Sequence, residues 1–256
     1  MVEGTSDYSL GLNRVSFLVL ERNGKSIERP SGRIWVSRGL KEKPFERARA
    51  TFEPIVVPGG YEAGHDITHI YVTHVRLPRP GKYWILAEPV GGKPIQAVGN
   101  LVVRSKTLSP VIGSRAYPSR TPTLASTHGD IGKLTTRVPP DRDLLRYSIA
   151  GSLAAHKPFV VVFATPKFCT SRTCGPVVDV IDAARRRFAR TDIRFIHVEI
   201  YKDNDPAKGF NRWVKEWHLP TEPWVFVVGS DGRIAAKFEG SISAGELATA
   251  IRRGLE

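Results

Sequence analysis

Short runs of alternating apolar and polar residues, each closed by turn residues, fill the first part of the chain. Residues 15–20, 33–36, 48–57, 67–77, 83–87 and 96–103 are rich in β-branched and aromatic side chains, and Asn23-Gly24 after the first run is a hairpin signal. No stretch of helical period intervenes. About six strands in about ninety residues predict an all-β domain over residues 13–105, a β-sandwich, preceded by a tail at 1–12. Residues 106–142 lose the alternation and carry Pro110, Pro118, Pro122, Pro139 and Pro140. They read as a Pro-rich linker that Tyr117, Leu124, Ile131 and Leu134 are available to pin across the second domain.

From residue 143 the pattern changes. Residues 144–155 have helical spacing, and Phe159 to Phe163 then form an unbroken apolar run, the pattern of a strand buried on both faces. Thr165-Pro166 ends that strand. From Cys169 onward Val177, Val178, Ile181, Ala184 and Phe188 recur at helical spacing, with Arg185, Arg186 and Arg187 largely on the other side. A strand is predicted at 193–201, a helix from the Asp205-Pro206 cap through Trp217, strands at 224–228 and 233–238 around Ser230-Asp231-Gly232, and a last helix at 244–255. The order βαβαββα predicts an α/β domain over 143–256.

Composition narrows the partners. With 256 residues, 41% hydrophobic and 9% aromatic, the chain has enough apolar surface for two cores. No apolar run reaches bilayer-spanning length, and MVEGTSDYSL lacks the basic and apolar regions of a signal peptide. The net charge of +13 is spread along the chain with no stripe or interleaved aromatics, which argues against nucleic acid and leaves weak attraction to an anionic cell-envelope surface. Two cysteines close together and none elsewhere suit an exported or redox protein, because no third thiol can mispair. The expected location is therefore extracytoplasmic, secreted or membrane-anchored, with the export signal outside this sequence, and a reducing cytoplasm stands as the alternative. A metal at His65, His69 and His74 is not expected: in a strand His69 and His74 point to opposite faces, and His65 and His69 stand roughly 13 Å apart.

Cys169 and Cys174 carry the candidate chemistry. A strand-to-helix junction favours a thiolate, because unpaired backbone N–H groups and the helix dipole stabilise negative charge. Four residues separate the pair. In regular helix their Cα atoms would lie roughly 8 to 9 Å apart, whereas a disulfide needs less than about 7 Å. The two can bond only if Cys169 precedes the helix proper or the first turn unwinds.

The element order, the cysteine motif at the first strand-to-helix junction and the proline before the third strand together resemble the thioredoxin fold over residues 143–256. EPWVFVVGSDGRIAAKFEG resembles the segment in which a cis-proline faces the cysteines; Pro223 matches that position, with Pro220 the second candidate. The resemblance implies thiol-disulfide exchange with protein thiols or disulfides. In it Cys169 is the attacking thiolate, Cys174 the resolving thiol, and Pro223 shapes an edge where an extended substrate pairs. Thr165, Phe168, Thr170, Arg172 and Glu222 are the candidate substrate-binding residues, and no cofactor is implied. Two positions depart from the pattern: Phe168 replaces the usual Trp before the first cysteine, and Phe163 stands where thioredoxins bury a proton-moving acid. In the first domain, LPRPGKYWILAEP resembles the approach to the sixth strand of immunoglobulin-like domains, with Tyr83 as the tyrosine of a tyrosine corner. The expected fold class is an all-β immunoglobulin-like sandwich followed by an α/β thioredoxin-like domain.

Three alternatives stand beside exchange. T-P-x-x-C-T-x-x-x-C is similar to the Q-type peroxiredoxin motif, which implies peroxide as substrate, although Thr165 to Cys169 is one residue longer than in that family. Sco-type copper chaperones use a cysteine pair and a distant His on this fold, for which His218 is the candidate. A structural disulfide in a binding protein is the third. A loop this short contributes only at the low end of about 2 to 3 kcal/mol, so redox chemistry is favoured over a staple.

Overall fold

The computed structural model describes residues 1–60, 67–169 and 173–255. His65, Thr170 and Arg172 lie outside the described residues. The structure is mostly β and divides into two compact units, Met1–Ile55 with Asp66–Leu108, and Val56–His65 with Ser109–Glu256.

The first unit is a single antiparallel sheet of β1 (Val2–Glu3), β2 (Gly11–Leu18), β3 (Ser31–Ser37), β4 (Glu46–Pro54), β5 (His69–Leu77), β6 (Gly81–Pro89) and β7 (Ala97–Val103), in the order β1-β2-β5-β4-β3-β6-β7. Two separate sheets were expected. Instead β4 pairs with β3 from Thr51↔Ser31 to Glu46↔Val36 and joins both halves into one sheet. The edges nearly close on each other: Asn100 N–H donates to Glu3 Oε1 at 3.0 Å, and Tyr8 bridges Val103. Alternation along the strands fills the interior with Val15, Phe17, Ile34, Val36, Tyr71, Val75, Tyr83, Ile85 and Leu101.

Residues 1–12 are not a tail. Val2 and Glu3 pair with Leu18 and Phe17, and Tyr8 is buried with its hydroxyl on Thr5. One buried aromatic among polar neighbours anchors a stretch that has no alternation to reveal it.

The second unit holds a four-stranded sheet in the order β11-β10-β8-β9, built from β8 (Phe159–Phe163), β9 (Arg194–Val198), β10 (Trp224–Val228) and β11 (Ile234–Glu239). Strands β8 and β9 run parallel, and the other neighbours are antiparallel. Its helices are α1 (Ile149–Ala154), α2 (Cys174–Arg187), α3 (Arg212–Glu216) and α4 (Ala244–Leu255). The apolar run in β8 is buried on both faces. Val160 and Val162 meet α2 and α4 through Val177, Val178, Ile181, Leu247 and Ile251, while Phe159, Val161 and Phe163 join Ile149, Val214, Trp217, Trp224 and Phe226 on the other face. Among the described residues no helix is long and apolar enough to cross a membrane.

Three expected helices are shorter than the periodicity suggested. Residues 144–155 break into a 3-10 turn, Arg142–Leu145, and α1, which starts where Ser148 accepts from Gly151 N–H. Asp205 caps Ala207 as expected, but Gly209 at φ 68° ends that turn after Lys208, and Asn211 starts α3 anew by accepting from Trp213 and Val214. The cysteine helix begins at Cys174, not Cys169. Residues 109–142, expected within the linker, belong to the second unit. Ala116 and Leu134 are buried, and Ser119 Oγ accepts from Trp217 Nε1 at 3.0 Å while donating to Glu216 Oε2 at 2.6 Å.

Tyr83 in β6 is fully buried, and its hydroxyl donates to Arg79 O at 2.7 Å and accepts from Arg79 N–H at 3.2 Å. Both bonds fix the turn that leads into the strand. Tyr83→Phe is expected to cost about 1 to 2 kcal/mol, read as a lower urea midpoint with unchanged slope.

Candidate functional site

Strand β8 ends at Phe163, and Ala164-Thr165-Pro166 turns the chain over the end of the sheet toward Cys169. Helix α2 then starts at Cys174, with Pro176 in its first turn, where a missing N–H costs nothing. Cys169 therefore precedes the helix proper, which is the condition its spacing from Cys174 required. Both side chains are thiols, with no disulfide between them. Their sulphurs lie within 4.8 Å of each other, and the Cys174 backbone N–H donates to Cys169 Sγ at 3.2 Å. This N–H is one of the donors that a helix start leaves without a helical partner, so a negative charge on Cys169 meets both a hydrogen bond and the positive end of the helix dipole.

The two thiols are unequal. Cys169 is half-buried and Cys174 is fully buried. Burial pushes the Cys174 thiol far above its ordinary range, and its hydrogen bond to Cys169 and the charge there push the same way; a backbone hydrogen bond from Thr165 opposes them. Cys174 is thus held as a thiol beside the sulphur best placed to ionise.

The facing wall comes from the entry to β10. Trp224 pairs with Phe163, so the antiparallel register sets Glu222 and Pro223 beside the residues after β8. The Glu222-Pro223 bond is cis, and Pro223 is buried. Pro220, the second candidate for that position, is not preceded by a cis bond. Thr221 Oγ1 accepts from Trp224 Nε1 at 3.1 Å and donates to Glu239 Oε1 at 2.7 Å, holding this corner to β11. A Glu222 carboxylate oxygen lies within 4.8 Å of both sulphurs.

Among the other expected site residues, Thr165 is fully buried, and its Oγ1 has no hydrogen-bond partner among the described residues. Phe168 is half-buried and meets Tyr201 edge-on, and Tyr201 stacks on Phe210. Sequence patterning gives no hint of Tyr201. Its phenol is raised above the usual tyrosine range by burial first and then by the charge of Glu222. Phe163 packs against Trp217 and Phe226 on the face away from α2. His218 is exposed with its ring 6.0 Å from Tyr117, and no histidine among the described residues joins the two sulphurs. His69 stacks on Phe52, and His74 is exposed on the same strand.

A buried polar network behind the cysteine loop is equally invisible in the sequence. Lys167 N–H donates to Thr136 Oγ1 at 3.2 Å, and Thr136 N–H and Oγ1 each donate to Glu199 Oε1 at 2.6 Å. Arg137 N–H donates to Thr135 Oγ1, which contacts His197 Nδ1 at 3.3 Å; His197 Nε2 contacts Ala164 O at 3.0 Å. A carbonyl only accepts, so Nε2 carries the proton and Nδ1 accepts from Thr135. The segment 135–137 thereby grips Ala164 and Lys167 on either side of the turn to Cys169. Arg137 continues inward to a buried ion pair with Asp179 of α2. No family model matches this chain, and no curated protein matches it.

Breaking the ion pair from one side leaves an uncompensated buried charge. Arg137→Met is expected to destabilise the protein by about 3 to 5 kcal/mol, and Arg137→Met/Asp179→Leu to recover much of that, both measured by chemical denaturation. Burial holds the His197 imidazole below its ordinary pKa. The unfolded chain therefore takes up the proton first as pH drops. Stability is complete above about pH 6.5 and declines toward pH 5, and the decline is shallower in His197→Gln.

Proposed function

We propose that this protein is a thiol-disulfide oxidoreductase working through Cys169 and Cys174. The observation that carries this reading is the asymmetric pair: a half-buried sulphur that accepts the first N–H of a helix, beside a buried thiol within 4.8 Å. An accessible nucleophile and a protected resolving thiol are what two-step exchange needs. A structural staple has no use for that difference.

We assign the second unit to the thioredoxin-like fold. The sheet order β11-β10-β8-β9 with only β8 and β9 parallel, the cysteines at the β8–α2 junction and the cis-proline entering β10 all support the assignment. The first unit we assign to the immunoglobulin-like class, supported by its strand order and the Tyr83 hydroxyl on the Arg79 backbone. The substrates in this proposal are protein thiols or disulfides. Phe168 and Tyr201 offer apolar surface beside the nucleophile, and the backbone at Pro223 offers an edge for an extended segment. An extracytoplasmic setting accords with a chain whose only two cysteines are this pair.

Equilibration in glutathione buffers with thiol counting tests the reading. A reduction potential above about −270 mV is expected for the pair, whereas one below about −300 mV marks a structural disulfide and contradicts it. Cys169→Ser should abolish insulin reduction, and Cys174→Ser should accumulate mixed disulfides. Full activity in both variants, or peroxide consumption far outpacing exchange, overturns the assignment.

A further inference from the structure

Resolution of a mixed disulfide makes a demand that the cysteines cannot meet by themselves. Cys174 must attack as a thiolate, yet it is fully buried, and its proton has to leave for a base within reach. The place where a thioredoxin keeps its buried acid holds Phe163, whose ring is committed to Trp217 and Phe226 on the far face of the sheet.

A carboxylate reaches the sulphurs from the opposite wall. Among the described residues Glu222 supplies the one carboxylate whose oxygen lies within 4.8 Å of both Cys169 Sγ and Cys174 Sγ. It is half-buried, one residue before the cis-proline, and its corner is tied to β11 through Thr221, Trp224 and Glu239. Among the described residues, the titratable groups around it include Cys169 from the loop, Cys174 from α2 and Tyr201 after β9. Tyr201 is a phenol raised above its usual range, so it holds its proton at neutral pH and cannot serve as the base.

We propose that Glu222 is the proton acceptor for Cys174 when the mixed disulfide is resolved, an inference that rests on the exchange reading above. In the first step the Cys169 thiolate attacks one sulphur of a substrate disulfide; a Cys169–substrate disulfide forms, and the other substrate sulphur leaves as thiolate. In the second, the Cys174 S–H proton passes to Glu222, and the Cys174 sulphur attacks Cys169 Sγ. The Cys169–substrate bond breaks, and the remaining substrate sulphur departs with its electron pair. The substrate disulfide has gained two electrons, the cysteine pair has lost two, and Glu222 holds the proton until solvent takes it. Glu222 thus acts on the reacting thiol, beyond the substrate contact its position in the sequence suggested.

The two steps separate with 5,5′-dithiobis(2-nitrobenzoate) as the substrate. The reduced protein releases one coloured thiolate when Cys169 attacks and a second when Cys174 resolves. Glu222→Gln, which keeps shape and removes the base, is expected to slow the second release about 100-fold relative to the first at pH 7. The deficit should shrink toward pH 10, where hydroxide takes the proton, and Glu222→Asp should recover part of the rate. Equal second-phase rates for Glu222→Gln and wild type across that range overturn the proposal, as does an equal slowing of both phases. Wild-type protein that never gives the second release overturns the exchange reading together with this one.

Discussion

The hydrogen bond from the Cys174 backbone to the Cys169 sulphur is the contact on which the rest of the site depends. It exists because α2 starts at Cys174 and leaves that N–H without a helical partner, while the chain between the two cysteines is long enough to bring Cys169 back over the helix end. Were the helix to start at Cys169, the sulphurs would sit on different turns, with neither bonding nor mutual tuning between them. The same geometry separates their roles. The sulphur that accepts the helix N–H is half-buried, and the one inside the first turn is fully buried and held as a thiol.

Everything around the pair keeps that arrangement in register. Strand β8, buried on both faces, fixes where the chain emerges, and the alternation of its side chains ties one face to α2 and α4 and the other to the aromatic cluster of Trp217, Trp224 and Phe226. Each of those large side chains contributes about 1.5 to 3 kcal/mol on burial, which holds β8 between the two clusters. The loop is held from behind by Thr135, Thr136 and Arg137, which use backbone and side-chain hydrogen bonds where an apolar contact would allow sliding. A segment rich in prolines, with a single short 3-10 turn at Ile131–Lys133 among its described residues before Arg142, thereby packs behind the cysteine loop.

Much of this was legible in the sequence. The five apolar residues of β8, the alternating strands of the first unit, α4 and β10 are set by local periodicity, and the cysteine pair and Pro223 by their position between elements. The remainder depends on partners distant in the chain. Tyr8 reads as one aromatic in a polar stretch until the sheet closes over it. Gly209 and Asn211 override the helical spacing of residues 205–217, because a left-handed glycine stops one turn and an asparagine cap starts another. Tyr201, Arg137 and His197 carry no motif; only the fold brings them near the cysteine loop. Glu222 stands out in the sequence as the neighbour of Pro223, but its proximity to both sulphurs comes from the Trp224–Phe163 pairing, which no local pattern encodes.

The most direct test of the asymmetric pair is alkylation of the reduced, folded protein with iodoacetamide as a function of pH, with mass spectrometry to identify the modified cysteine. Cys169 should react first at every pH, and Cys174 should stay unmodified until the protein unfolds. Equal modification of the two cysteines, or faster modification of Cys174, would contradict the assignment of nucleophile and resolving thiol on which the proposed chemistry stands.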